Sequence, residues 1–102
     1  MDISIIIVNY NSWVVLSDCI ESILNLNSTL NTEIIVVDNK STNDLFLQYQ
    51  QKYPTVKWIS NSGNNGFANG CNVGAANASS DYLLFLNPDT KVDKPNLDSF
   101  FD

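Results

Sequence analysis

No histidine and no arginine occur anywhere in this sequence. The missing histidine removes the commonest general base near neutral pH and the commonest metal ligand. Any metal site is thereby left to oxygen donors, which points to Mg²⁺ or Mn²⁺. Five lysines face eleven acidic residues, for a net charge of −6. No basic face exists for nucleic acid, and an anionic membrane surface is disfavoured by the same balance. Only two cysteines are present, Cys19 and Cys71. They are too few and too far apart for a CxxC site, and they read as buried thiols in a reducing, cytoplasmic compartment. No stretch approaches the roughly 18 apolar residues of a membrane span. Met1–Val8 lacks the basic start of a secretory signal, so a chain that is neither exported nor transmembrane is expected. Glycine is scarce, with four in 102 residues. Neither G-x-G-x-x-G nor a Walker loop can be found, which removes the dinucleotide and P-loop readings. With no linker, repeat or low-complexity tract, residues 1–102 read as a single domain.

Apolar residues make up 44% of the chain, and they fall into four runs that alternate with three helix-like segments. The runs are Ile3–Asn9, Glu33–Asp38, Val56–Ser60 and Tyr82–Leu86. They are continuous rather than alternating, as in strands covered on both faces of a parallel sheet. The first helix is expected from about Trp13 to Leu26, capped by Asn11 or Ser12, with Leu16, Cys19, Ile20, Ile23 and Leu24 as its apolar stripe. The second is expected from about Asn43 to Lys52. Ser41 and Asp44 form a weak capping box before it, Phe46, Tyr49 and Tyr53 line one face, and Pro54 ends it. The third, from about Phe67 to Ala78, is built of small residues, including Gly70 and Gly74. Such a helix is favoured only where it packs very close to a sheet or admits a ligand to its backbone. Right-handed crossovers then give an α/β, doubly wound, mainly parallel sheet of order 3-2-1-4, with helices on both faces.

Ligands of such sheets bind beyond the carboxyl ends of the strands, at the switch point. That point lies here between the first and fourth strands, where four polar clusters converge. Asp38 and Asp89 each follow an apolar strand run, which suggests one shared site. Asn9, Tyr10 and Asn11 follow the first strand. Backbone amides there, with the flat Tyr10 ring, suit a nucleobase or ribose; a plain turn with Asn11 capping the helix accounts for them equally well. Asp38 can accept bonds from ribose hydroxyls or from a pyrimidine imide N–H, or it can act as a cap or turn residue before the second helix. Asn65 and Gly66 open the third helix, as an anion-binding N-terminus or as a simple glycine turn. Asn87-Pro88-Asp89-Thr90 ends the fourth strand. Asp89 at its rim can hold a hard divalent cation bridging a diphosphate, or the segment is an ordinary turn.

These segments together resemble the start of a family 2 glycosyltransferase with the GT-A fold. The residues that carry the resemblance are Ser4-Ile5-Ile6-Ile7-Val8-Asn9-Tyr10-Asn11, then Ile34-Ile35-Val36-Val37-Asp38-Asn39 with Ser41-Thr42, then Asn65-Gly66-Phe67-Ala68 with Asn72 and Gly74, and finally Asp81 through Thr90. The N-P-D-T form is most similar to the rhamnosyltransferase-type branch. The resemblance implies inverting transfer from a nucleoside-diphosphate sugar of UDP or dTDP type to an acceptor hydroxyl, in cell-surface polysaccharide synthesis. It implies that Asn9, Tyr10, Asn11 and Asp38 hold the nucleoside and that Asn65 and Gly66 lie by the nucleotide. Asp89 matches the last acidic position of the D-x-D metal element, with Asn87 at the first, and Mn²⁺ or Mg²⁺ as cofactor. The family's acceptor half and catalytic base have no counterpart here, so a donor-binding half is expected and no base is nominated. Apolar surface left by a missing half would favour self-association as a homo-oligomer. The competing expectation is a non-catalytic nucleotide-binding or protein-interaction module with the same fold.

Overall fold

The computed structural model describes residues 2–26, 31–42, 45–63 and 66–91. Four strands and three helices alternate: β1 Ile3–Asn9, α1 Trp13–Leu24, β2 Thr32–Asp38, α2 Phe46–Lys52, β3 Lys57–Ser60, α3 Phe67–Ala76 and β4 Leu83–Leu86. The sheet order is β3-β2-β1-β4, with every neighbouring pair parallel. This is the expected order. It follows from branched aliphatic runs that can be buried on both faces, joined by helices that return the chain to the amino end of the sheet.

Side chains alternate between the two faces. Ile3, Ile5 and Ile7 of β1, with Ile34 and Val36 of β2, pack under α1 through Trp13, Leu16, Cys19, Ile20 and Ile23. The α2 aromatics Phe46 and Tyr49 close this layer, with Trp13 and Tyr49 at 4.9 Å between ring centroids. Ile6, Ile35 and Val37 point to the other face, against Val73 and Ala75 of α3. The closeness of α3 depends on its glycines. A Cβ at Gly70 would sit 2.7 Å from a methyl of Val8, and one at Gly74 would sit 2.5 Å from a methyl of Ile6. The small-residue stripe is therefore a close-packing device, as its sequence suggested.

The starts of β2, β3 and β4 lie one residue from expectation, and three helix boundaries differ as well. The first helix ends at Leu24 and the third at Ala76, one turn or less short of their apolar patterns. The second starts at Phe46, with Leu45 at the cap position. Asn43 and Asp44 lie outside the described residues, and Ser41 is engaged elsewhere, as shown below. The fourth strand is not a buried strand. Leu84 and Leu86 reach the α1 layer, but Leu83 and Phe85 are 39% and 42% exposed. As the edge strand it lies beyond the reach of α3, whose packing is on β1 and β2.

At the amino end of the sheet, Glu33 ties the segment before β4 to β1 and β2. Its Oε1 accepts from the Ser4 hydroxyl at 2.7 Å and from the Ser79 N–H at 2.9 Å. Its Oε2 accepts from the Ser79 hydroxyl at 3.1 Å. Burial alone would raise the carboxyl pKa, but these bonds and the charge of Lys57 outweigh burial and hold it below its ordinary value. A depressed carboxyl stabilises the fold above the unfolded-state pKa, and that contribution is lost as pH falls through the folded value. Glu33→Gln is expected to lower the thermal midpoint near pH 6, the loss corresponding to about 1 kcal/mol. The gap to the parent should close as pH falls from about 6 to about 3, because the parent then loses the same charge. Melting curves across this range check it; a gap that stays constant would show that the charge on Glu33 contributes nothing.

Candidate functional site

The carboxyl ends of β1 and β2 are level, with Asn9 opposite Asp38. The Asn39 N–H donates to the Asn9 carbonyl at 2.8 Å and carries the ladder one residue further. By alternation, Asp38 turns to the face of Ile34 and Val36, and Asn39 turns to the face of Ile35, Val37 and α3.

Asp38 is 3% exposed. Its Oδ1 accepts from Asn9 Nδ2 at 3.0 Å and from the Ser41 hydroxyl at 2.6 Å, and its Oδ2 accepts from the Ser41 N–H at 3.1 Å. A carboxylate has about four acceptor positions, and three of them are used among the described residues. The Ser41 oxygen also accepts from the Asn11 N–H at 2.9 Å, and Asn11 Nδ2 donates to the Thr42 hydroxyl at 2.8 Å. The loops after β1 and β2 are thus stapled together through Ser41 and Thr42. This corrects the expectation that Ser41 caps the second helix; Asp38, which accepts from the N–H and hydroxyl of Ser41 three residues on, serves the turn after β2, one of the two roles its position allowed. Ser12 stands at the cap position of α1 without a side-chain cap bond. The Ser12 N–H is instead met by Asn9 Oδ1 at 3.2 Å.

Two non-glycine residues in this staple adopt left-handed backbone, Asn11 at φ +55° and Lys40 at φ +53°. Asparagine tolerates that region, but a lysine there costs roughly 1–2 kcal/mol. Strain of this kind persists where surrounding bonds determine the loop. Here those bonds are the ones that Ser41 and Thr42 receive. Tyr10, between Asn9 and Asn11, is 41% exposed at the rim. Beside it a cavity of about 310 Å³ opens between Asn11, Ser12, Trp13, Val14, Val15 and Leu45. Sequence reasoning had no signal for this hollow, which forms only where the start of α1 meets the segment before α2.

On the opposite face stands the start of α3. Gly66 takes φ +92°, a conformation that side chains resist. Its carbonyl accepts from Asn39 Nδ2 at 3.1 Å. Asn61 Nδ2 donates to Asn39 Oδ1 and to Asn69 Oδ1, both at 2.9 Å. Asn61 and Asn69 were not anticipated, since an asparagine-rich chain does not mark which amides meet. Asn65 lies outside the described residues.

The turn after β4 stands at the same end of the sheet, because Leu86 pairs with Ile7. The Asn87 carbonyl accepts from the Thr90 N–H at 3.0 Å, and both Asn87 and Asp89 are exposed. The Cys19 thiol is pushed up to about 11, first by burial and then by the Asp89 carboxylate. Among the described residues no hydrogen bond joins Asn87 or Asp89 to the Asn9–Asp38 cluster. No group of three or more acidic or sulfur ligands that could hold a metal occurs among them either. One exposed carboxylate with an amide oxygen fits only the kind of Mg²⁺ or Mn²⁺ site that draws its remaining ligands from phosphates and water. No helix among the described residues is long and apolar enough to cross a membrane.

Comparison with known proteins gives one consistent result. The family model "Glycosyl transferase family 2" matches residues 4–101. The low-salt glycan biosynthesis hexosyltransferase Agl10 of Haloferax volcanii is 33% identical over 94% of this chain and 30% of its own length. The poly(ribitol-phosphate) beta-glucosyltransferase of Bacillus spizizenii is 37% identical over 90% of this chain and 15% of its own. The crystal structure of S. aureus TarS 1-349 in complex with UDP-GlcNAc superposes with a TM-score of 0.84, at 27% identity, over 99% of this chain and 30% of that one. The chain thus spans less than a third of the length of these relatives.

Proposed function

This chain belongs to glycosyl transferase family 2, and we propose that it is the donor-binding portion of an inverting glycosyltransferase that takes a UDP- or dTDP-type sugar. The observation that carries this reading is the cluster around Asp38, where one buried carboxylate at the carboxyl end of β2 organises two loops and has a fourth acceptor position unassigned among the described residues. Asp38 receives a base N–H or a ribose hydroxyl at that position. Asn9 and Asn11 hold the loop shape, and the exposed Tyr10 ring offers a stacking surface. Gly66, with Asn65 beside it in sequence, lies by the diphosphate, where a residue without a Cβ allows close approach. Asn87 and Asp89 at the end of β4 would hold the divalent cation, Mg²⁺ or Mn²⁺. A bound cation there supplies charge stabilisation for the departing diphosphate.

In the transfer, the acceptor oxygen forms a bond to the sugar C1 as the bond from C1 to the diphosphate breaks on the opposite side. The hydroxyl proton passes to a base, and none is assigned among these residues. The support for a cell-surface polysaccharide product is the chemistry named in the relatives, glycan and poly(ribitol-phosphate) glycosylation. Unpaired Cys19 and Cys71 suit a reducing, cytoplasmic compartment. The exposed Leu83 and Phe85, on one face of β4, offer apolar surface that favours self-association.

Calorimetric titration of UDP-sugar and dTDP-sugar with and without Mn²⁺ tests the proposal. Mn²⁺ is expected to strengthen binding by about tenfold or more in the parent, on the scale of one charge-assisted contact. Asp89→Asn should lose that enhancement and retain the metal-free affinity. Equal enhancement in parent and variant would remove Asp89 from the metal site. Absence of any nucleotide-sugar binding would favour a non-catalytic module.

A further inference from the structure

We infer that Asn39 is a positioning residue for the part of the donor beyond the nucleoside: it sets where Gly66 and the first turn of α3 stand relative to the Asp38 loops. The inference rests on the donor-site reading above and assigns a role that this reading leaves open. Asp38 and Asn39 are adjacent at the end of β2 and divide the labour by face. Asp38 engages the loops after β1 and β2 on the α1 side. Asn39 engages α3 on the other side.

Asn39 is 2% exposed, and both ends of its carboxamide are engaged. The carbonyl it holds, that of Gly66, also accepts the Gly70 N–H at 3.2 Å and so closes the first turn of α3. Asn39 therefore grips the group that begins the helix. The fit is tight: a Cβ at Gly70 would come within 3.2 Å of Asn39 Nδ2, so glycine at that position lets α3 approach the strand end. Asn61 bridges Asn39 to Asn69 of α3, and its own N–H donates to the Asp38 carbonyl at 2.8 Å. The ends of β2 and β3 and the first turn of α3 are thus fixed as one unit by three amide side chains. An apolar packing contact would hold the layer together but would not fix the direction of the Gly66 backbone, because only the hydrogen bonds are directional.

The test separates nucleoside from diphosphate. Binding of uridine and of UDP is measured by calorimetry for the parent, Asn39→Ala and Asn61→Ala, with folding checked by circular dichroism and thermal melting. Loss of one neutral hydrogen bond predicts that UDP affinity falls about 3- to 10-fold in Asn39→Ala while uridine affinity changes less than about 2-fold. Asn61→Ala should shift the same ratio in the same direction and serves if Asn39→Ala does not fold. A general structural role would weaken both ligands together, and that parallel loss, or no loss of either, overturns the assignment. A parent that binds neither uridine nor UDP overturns the donor-site reading, and the Asn39 assignment with it.

Discussion

Gly74→Leu is expected to leave the chain unfolded at room temperature. A Cβ at this position already meets an Ile6 methyl at 2.5 Å, with further atoms of Ile6 and Val37 at 3.4 Å. Ile6 and Val37 are themselves buried in the sheet, between strands paired on both sides, so neither can retreat. Three more carbons must then lift α3 off the sheet, which uncovers Ile6, Ile35 and Val37 together. Over-packing by itself costs roughly 1–3 kcal/mol and sometimes more. Each large aliphatic returned to water adds roughly 1.5–3 kcal/mol. Domains of this size have total stabilities of about 5–15 kcal/mol, so the sum reaches the whole margin. Gly66→Ala is the control: among the described residues no atom beyond its chain neighbours lies within 4 Å of its Cβ position, and the penalty is that of its positive-φ backbone, roughly 1–3 kcal/mol. Circular dichroism and thermal melting distinguish them. A Gly74→Leu midpoint within error of the parent would mean that α3 does not lie on the sheet as described.

Asp38→Ala is expected to weaken UDP binding by about 10- to 100-fold and to destabilise the fold as well. The first effect follows from loss of a charge-assisted bond to the ligand, worth roughly 1.5–3 kcal/mol. The second follows from the geometry. Removing the carboxylate leaves Asn9 Nδ2 without its acceptor in a buried place and the Ser41 N–H and hydroxyl without theirs in a half-buried one. Each unsatisfied donor costs about 1–3 kcal/mol unless water enters. Asp38→Asn separates the two effects, since it keeps the shape and most of the staple while removing the charge. It should melt close to the parent and still bind UDP more weakly. Undiminished affinity in a folded Asp38→Asn protein would show that the carboxylate organises the loops and touches no ligand.

The second-helix start illustrates where pattern reading ends. Ser41, three residues before Asp44, has the local form of a cap. The same hydroxyl is also within reach of Asp38 and of the Asn11 N–H, thirty residues away in sequence. Three-dimensional competition decided its partner, and α2 begins at Phe46. The fourth strand is a similar case. Its composition matches that of β1, yet Phe85 is exposed and Ile6, its partner across the pair, is buried. Edge position, which composition does not encode, makes that difference.

What the sequence determined by itself is the sheet. Runs such as Ile3–Val8 and Ile34–Val37 can satisfy their burial only between two layers, and the alternation of helix and strand leaves a right-handed parallel winding as the economical path. The glycines of α3 likewise announced a close approach, since a residue without a Cβ has that consequence wherever the helix lies. The carboxyl-end location of Asp38 and Asp89 followed from the same order. Only the tertiary structure decided how the loops are held across the sheet: that Asp38 accepts from Asn9, that Asn39 grips Gly66, and that Asn61 reaches Asn39. The physical reason is range. Hydrophobic periodicity is set by neighbours a few residues apart and is written in the local pattern. A hydrogen bond between side chains more than twenty positions apart exists only once the sheet has brought two strand ends within 3 Å, and several asparagines of equal local character then compete for it.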